Sequence, residues 1–412
     1  MICGKADCGL QYAVKRSGGN VGYCSLGIKC GTRDEAGYHT GISHFTEHTL
    51  FKGTSNRSAT EINSCLDRLG GELNAYTTKE EIVLHATVLK EDLGKAGSVL
   101  MDLASNPLFP ENEIETEKSV VLDEINSYKD SPADDVYDRF EEALFKGHPL
   151  GQPILGTAEA VKSITGDELR RFIKEKFIPS NMAFTVVADI DESKMEKGVL
   201  NLAGKFFGNG TMTDTQGNAG RILSIPEIVL FDQIVDKHNH EANAVIGGTA
   251  PSLYDEKERL TTVLMSNILG GPAANSILND ELREKKGWVY GVECSYTQYS
   301  DTGILAICLG CDRENLQKCF RSIDKAVLRL QNEILTDKKL KAAKKQLLGQ
   351  LAISSDNGET QCLSMGKSLL SFGHIATDEE NNRKIEEITA EDIRILAGKI
   401  FSPSNTSRLI FL

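Results

Sequence analysis

The sequence predicts an α+β fold built as two related halves, each a mostly antiparallel sheet with helices packed on one face. Three observations lead there. First, the segment SITGDELRRFIKEKFIPSNMAFTVV (163–187) returns as EITAEDIRILAGKIFSPSNTSRLIFL (387–412). Ile164-Thr165 matches Ile388-Thr389, and Phe177-x-Pro179-Ser180-Asn181 matches Phe401-x-Pro403-Ser404-Asn405, at a gapless offset of 224 (388 less 164). In both copies an amphipathic helix runs through a Pro-Ser-Asn turn into a β-branched strand. Second, paired β-rich runs joined by short polar turns alternate with helical periodicity, the pattern of α+β layers. Third, 412 residues exceed what one ordinary core accommodates. The halves are residues 1–212 and 225–412, joined by a linker at 213–224 in the Gly/Thr/Asn-rich run GNGTMTDTQGNAGR.

Local signals place the elements. Ser58-x-x-Glu61 is a capping box opening a helix with apolar positions Ile62, Cys65, Leu66 and Leu69, and Gly70-Gly71 closes it. ELNAYTTKEEIVLHATV (72–88) reads as two strands around a polar turn. Helices are predicted near 91–105, 111–128 and 134–145, then near 256–269, 273–285, 313–333 and 337–351. VYGVECSY and GILAICLG are strands separated by a polar turn at 299–302.

Composition narrows the function. Charged residues at 25% and hydrophobic ones at 40% describe a soluble globular chain, with no apolar run of membrane-spanning length. A net charge of −13 argues against nucleic acid as a partner, because phosphate binding needs clustered Lys and Arg. Ten cysteines at irregular spacings, with no signal-peptide pattern before them, predict a reduced cytoplasmic setting.

The chemistry concentrates in GISHFTEHTLFKGT (41–54). On a helix, His44 and His48 stand one turn apart on one face, with Glu47 beside it, in the order H-x-x-E-H. Two imidazoles suit zinc, but a catalytic site of this kind needs a third, anionic ligand. From these residues alone, a surface helix with two solvated histidines stays open. ENEIETEKSVVLDEINSY (111–128) offers Glu117 and Glu124, two turns apart on one face, with Val120, Val121 and Ile125 as an apolar side that would bury it. Alone, that helix reads as a solvated acidic face. The 224 offset sets Ile268-Leu-Gly-Gly-Pro272 against the His-Glu-His cluster, so one half alone carries it. A cluster required for folding would persist in both copies, and the one-sidedness points to function.

The run GTRDEAGYHTGISHFTEHTLFKGT resembles the active-site helix of the pitrilysin-type zinc peptidases, a family including insulin-degrading enzyme and the mitochondrial processing peptidases. There the third ligand is a glutamate far downstream, preceded seven residues earlier by another. Here Glu124 stands 76 residues beyond His48 (124 less 48), with Glu117 seven before it. The resemblance implies one Zn2+ per chain on His44, His48 and Glu124, with Glu117 supporting the ligands and Glu47 as general base for the attacking water. It extends over nearly the whole chain. GGELNAYTTKEEIVLHATV looks like the family's substrate-binding edge strand, with Asn74, Ala75 and Tyr76 in the matching positions. An extended peptide would join that edge through main-chain hydrogen bonds. HPLGQPILGT (148–157) and LGGPAANSILNDELREKKGWVYGV (269–292) also match. The latter carries Arg283 and Tyr290, similar to the pair that holds substrate and steadies the oxyanion. Without the resemblance they read as a solvated helix residue and a half-buried strand residue. His240-Glu-Ala-Asn243 departs from the H-Q-A-H that related chains often show.

The implied function is zinc-dependent cleavage of unfolded peptides within a closed chamber formed by a homodimer, without nucleic acid or membrane. The alternative is a non-catalytic scaffold or partner subunit, and a third arrangement pairs this chain with a different one. Degenerate relatives of the scaffold kind lack parts of the H-x-x-E-H set or the Arg/Tyr pair, whereas those five residues, and Glu124 with them, all stand here. Cys308-x-x-Cys311, the histidines at 85, 148, 238 and 240, and Trp288 lack companions for a redox or metal role and read as structural or solvated.

Overall fold

The structure is a computed structural model, and it describes residues 1–208 and 227–412. The linker expected at 213–224 lies outside the described residues. The chain forms two compact units. One comprises Met1–Ile125, Gln152–Ile222 and Ala352–Ala376, and the other Asn126–Gly151, Leu223–Leu351 and Thr377–Leu412.

The first part of the chain runs β1 (Ile2–Lys5), β2 (Gln11–Arg16), β3 (Val21–Ile28), α1 (Ile42–Leu50), α2 (Ala59–Cys65), β4 (Glu72–Thr77), β5 (Ile82–Leu89), α3 (Leu93–Ser105), α4 (Glu111–Lys129), α5 (Pro132–Leu144), α6 (Ala158–Ser163), α7 (Gly166–Lys176), β6 (Met182–Ala188) and α8 (Glu192–Phe207). The second runs β7 (Asp232–Val235), β8 (Glu241–Ala250), α9 (Glu256–Gly270), β9 (Val289–Gln298), β10 (Gly303–Asp312), α10 (Leu316–Asn332), α11 (Asp337–Ser355), α12 (Gly358–Phe372), α13 (Asp378–Glu386), α14 (Ala390–Ile400) and β11 (Ser407–Phe411).

The repeat is legible in the sheets. The first unit orders its strands β1-β2-β6-β3-β5-β4, the second β7-β11-β8-β10-β9. Matched in chain order, β2 to β6 and β7 to β11 occupy the same places. In each unit one parallel pair (β2 with β6, β7 with β11) is followed by antiparallel neighbours. β4 is therefore an edge strand of its sheet, and β9 holds the same place in the other.

Most helices cover one sheet face, as expected, but the second face of each sheet carries a helix too. In the first unit Cys362, Met365 and Leu369 of α12 pack on Ala13, Ala183 and Val187. In the second, Val136, Phe140 and Leu144 of α5 pack on Val245, Ile304, Ala306 and Leu409. β6 is consequently buried along its whole length. The two units thus differ from the contiguous stretches 1–212 and 225–412. The segment 126–151 belongs with the second sheet and 352–376 with the first, because their apolar faces are buried there.

Two local expectations need correction. No α-helix spans 273–285. Residues 272–276 form a turn, and Asn279–Glu284 is a π-helical segment. The Asn279 side chain donates to the Gly271 carbonyl and the Ser276 hydroxyl, so side-chain bonds replace a regular helical start. On α4 the buried stripe is Ile114, Glu117, Val121 and Ile125, while Val120 is 46% exposed. The spacings of three and four residues within that stripe leave Val120 off the buried face. The Ser58/Glu61 capping box forms as expected, and His148 makes the structural hydrogen bond, its Nδ1 accepting the Leu150 N–H at 3.2 Å. Among the described residues no helix is long and apolar enough to cross a membrane.

If α12 supplies core to the first unit, Leu369→Ala should cost about 2–5 kcal/mol of stability. Urea unfolding checks this, and a wild-type midpoint would show that the helix contributes no such core.

Candidate metal centre

Helix α1 is fixed at its start. Gly41 precedes it at φ +87°, and a Cβ there would stand 2.7 Å from the Leu155 carbonyl oxygen, so the close backbone approach requires glycine. No side chain on the helix caps it. Instead the buried Glu35 carboxylate accepts the N–H of Gly41 through one oxygen and that of Ser43 through the other, both at 2.8 Å. These amides have no partner within the helix, and an anion there also meets the positive end of its dipole. Ile42, Phe45 and Leu50 are fully buried, which sets the helix's rotation.

With that rotation His44 and His48 lie side by side, ring centroids 4.5 Å apart. α4 brings both carboxylates to them. Glu117 Oε1 is 2.7 Å from His48 Nδ1. A carboxylate only accepts, so His48 carries its proton on Nδ1 and turns the Nε2 lone pair the other way. Lys52 Nζ, 2.5 Å from Glu117 Oε2, holds the far side of that carboxylate. Glu124 Oε2 lies 3.6 Å from His44 Nε2 and 3.5 Å from His48 Nε2. These distances are too long for good hydrogen bonds. They fit the edge of a coordination tetrahedron, where donors about 2.0–2.1 Å from an ion stand about 3.4 Å apart. Glu124 Oε2 is also a buried atom without a hydrogen-bond partner. The donor set thus converges on a point where a cation would satisfy three otherwise unpaired lone pairs. Among the described residues this is the one group of three or more His, Cys, Asp or Glu side chains arranged to hold a metal ion, its donor atoms within 4.8 Å of one another.

Electrostatics differ between the two imidazoles. Burial, helped by the neighbouring His48, pushes the His44 pKa down to about 3, favouring the neutral ligand form. Burial would lower His48 as well, but its Glu117 hydrogen bond and the surrounding carboxylates outweigh that and raise it. Glu117 is destabilised by burial yet held below the usual carboxylate range by His48 and Lys52. Burial raises Glu47, opposed by a hydrogen bond from Thr77 Oγ1 to its Oε2 at 2.9 Å.

The other predicted residues divide by unit. Asn74, Ala75 and Tyr76 lie on edge strand β4, Asn74 exposed and Tyr76 edge-on to the His85 ring. Arg283 and Tyr290 belong to the second unit and are both exposed. Arg283 pairs with Glu284 at 3.0 Å, and Tyr290 donates to Asp312 at 2.6 Å, so each is engaged by a neighbour. Sequence reasoning did not single out Glu35, Lys52 or Thr77. Thr77 had a faint signal: it follows Leu73 and Ala75 at alternate positions, on the face that α1 covers. Glu35 had none beyond lying six residues before a glycine.

Comparison with known proteins fits this geometry. The model of the insulinase family (peptidase family M16) matches residues 12–158, and that of the peptidase M16 inactive domain matches 163–347. An uncharacterized zinc protease of Bacillus subtilis (strain 168), YmxG, is 33% identical over 383 residues, covering 93% of this chain and 91% of that protein. An uncharacterized zinc protease of Rickettsia felis is 31% identical over 388 residues, covering 94% of this chain and 91% of that one. The chain belongs to the insulinase family, peptidase family M16. Two crystal structures share its fold. A protease from Helicobacter pylori has a TM-score of 0.87 at 20% identity, covering 100% of this chain and 98% of that one. A peptidase M16 inactive domain from Pseudomonas fluorescens has a TM-score of 0.88 at 18% identity, covering 100% and 97%. The inactive-domain match falls on the part of the chain without the His-Glu-His cluster.

Glu35 also makes stability depend on pH. Burial raises its pKa from 4.5 to about 7 against the Gly41 and Ser43 hydrogen bonds and the Lys79 charge. Between those values the folded state keeps a proton that the unfolded state releases, so this group's contribution falls as pH rises through that window. The slope approaches about 1.4 kcal/mol per pH unit. Glu35→Gln should remove that slope in denaturant titrations from pH 4.5 to 7, and a variant keeping the wild-type slope would contradict the assignment.

Proposed function

We propose that this chain is a zinc-dependent endopeptidase acting on unfolded peptides. The observation that carries the reading is the convergence of His44 Nε2, His48 Nε2 and Glu124 Oε2, with Glu47 near enough to interact with the charges of His48 and Glu124. Two imidazoles, one carboxylate and no thiolate suit zinc in a catalytic site that keeps a position open. The relatives named zinc proteases support the same metal. Bound zinc would supply Lewis acidity, polarising a peptide carbonyl and acidifying a water.

The chain's own residues do the rest. Glu117 fixes the His48 tautomer, so that Nε2 faces the other donors. Glu47 takes the proton of the attacking water on its carboxylate and passes it to the departing amine nitrogen, a cycle that leaves the carboxylate ionised. β4 offers an open edge at Asn74–Tyr76 where an extended substrate adds as a strand, which favours unfolded chains. Arg283 and Tyr290 are proposed to act across the homodimer, on the site of the opposing copy, as the groups that hold the peptide and stabilise its oxyanion, a reading supported by the resemblance of 269–292 to active members. A homodimer enclosing the substrate is the assembly proposed, and mass measurement on the eluted protein tests it. Ten free thiols suit a reducing, cytoplasmic setting.

Glu47→Gln should retain zinc and lose cleavage of an unstructured peptide by about 10²–10⁴-fold. Loss of zinc from that variant, or near-normal turnover, would refute the base assignment. Glu124→Ala should lose the metal, whereas Glu117→Gln should weaken zinc binding about 10–100-fold. Metal titration checks both, and equal affinities for the two variants would contradict the distinction between ligand and support.

A further inference from the structure

We propose that Thr77 is the positioning residue that orients Glu47 for proton transfer, so that the substrate-pairing strand also aims the base. This rests on the reading of Glu47 as the base. Thr77 Oγ1 donates to Glu47 Oε2 at 2.9 Å. A carboxylate free to rotate presents its oxygens in many directions. One held through Oε2 presents Oε1 in a defined one, and alignment of this sort is where much of an enzyme's rate originates. Thr77 is the last residue of β4, directly after Asn74–Tyr76, and pairs with Ile82 on β5.

The strand end that carries Thr77 is itself held fast. Thr78 closes the hairpin, its N–H donating to the Glu81 carbonyl at 2.8 Å and its hydroxyl accepting from the N–H groups of Glu80 and Glu81. Residues 31–35 then clamp this turn. The Thr32 N–H donates to the Thr78 carbonyl, the Arg33 N–H to the Lys79 carbonyl, and the Arg33 guanidinium pairs with Glu80 at 2.6 Å. A Cβ on Gly31 would stand 2.4 Å from the Glu80 nitrogen, so this approach needs glycine. The same short segment ends in Glu35, which caps α1. One bracket therefore fixes both the helix bearing Glu47 and the strand bearing Thr77. The Thr77–Glu47 hydrogen bond closes the loop between them.

The test uses the full-length, zinc-loaded protein and an internally quenched peptide that the wild type cleaves. Thr77→Val and Thr77→Ala remove the hydroxyl, and Thr77→Ser keeps it. Both hydroxyl-free variants should retain zinc and bind the peptide with KM within about twofold, while kcat falls at least about tenfold. Thr77→Ser should stay within about threefold of wild type. Adding Thr77→Val to Glu47→Gln should cost nothing further, since the two act through one carboxylate. Wild-type kcat in either hydroxyl-free variant, a loss confined to KM, or a serine variant as slow as valine would overturn the proposal. Where one hydroxyl-free variant does not fold, the other decides. Full activity in Glu47→Gln would instead defeat the reading beneath it, whatever Thr77 does.

Discussion

Two backbone N–H groups at the start of one short helix end on a single buried carboxylate, and the candidate site depends on that arrangement. α1 spans nine residues, from Ile42 to Leu50. A helix of that length is marginal alone, so its position comes from its surroundings. Glu35 fixes its first turn, the Gly41 contact with Leu155 and Gly156 fixes its depth, and Ile42, Phe45 and Leu50 fix its rotation. Once those are set, His44 and His48 have little choice of direction. α4 then needs only to place Glu117 and Glu124 at the right height. Its buried stripe of Ile114, Val121 and Ile125 does so, and carries Glu117 into the interior, where His48 and Lys52 compensate the buried charge.

The repeat shows how one half became specialised. Both units keep five strands in the same order and polarity. α9 occupies in its unit the place between strands that α1 has in the other, but runs fifteen residues and ends at Gly270. Residues set by the 224 offset against the His-Glu-His cluster fall at that helix's end and in the turn beyond. There Leu269 is fully buried, and a Cβ on Gly270 would stand 2.7 Å from the Cys294 nitrogen. In one copy the middle of this stretch packs, with Pro272 exposed beyond it, and in the other the stretch carries ionisable groups.

Much of this was legible in the sequence because it is local. The capping box at Ser58, the hairpins and the H-x-x-E-H spacing are all written within a few residues of themselves. The pairing of α4 with α1 rested on the resemblance to the pitrilysin-type peptidases, because alone the α4 segment reads as a solvated acidic face. What stayed hidden depends on distant partners. The exchange of α5 and α12 between the sheets follows from which apolar face each covers, and periodicity does not name the partner surface. Glu35 and Thr77 look like ordinary polar residues until their hydrogen bonds are seen. The segment near 273–285 misled because its helical composition is overridden by the Asn279 side chain.

X-ray absorption at the zinc edge of the purified, metal-loaded protein tests the central claim most directly. The account predicts only nitrogen and oxygen neighbours at about 2.0–2.1 Å, including the outer-shell signature of two imidazoles. Sulfur scattering at about 2.3 Å would move the metal to the chain's cysteines. That result, or no tightly held zinc at all, would contradict a centre built from His44, His48 and Glu124.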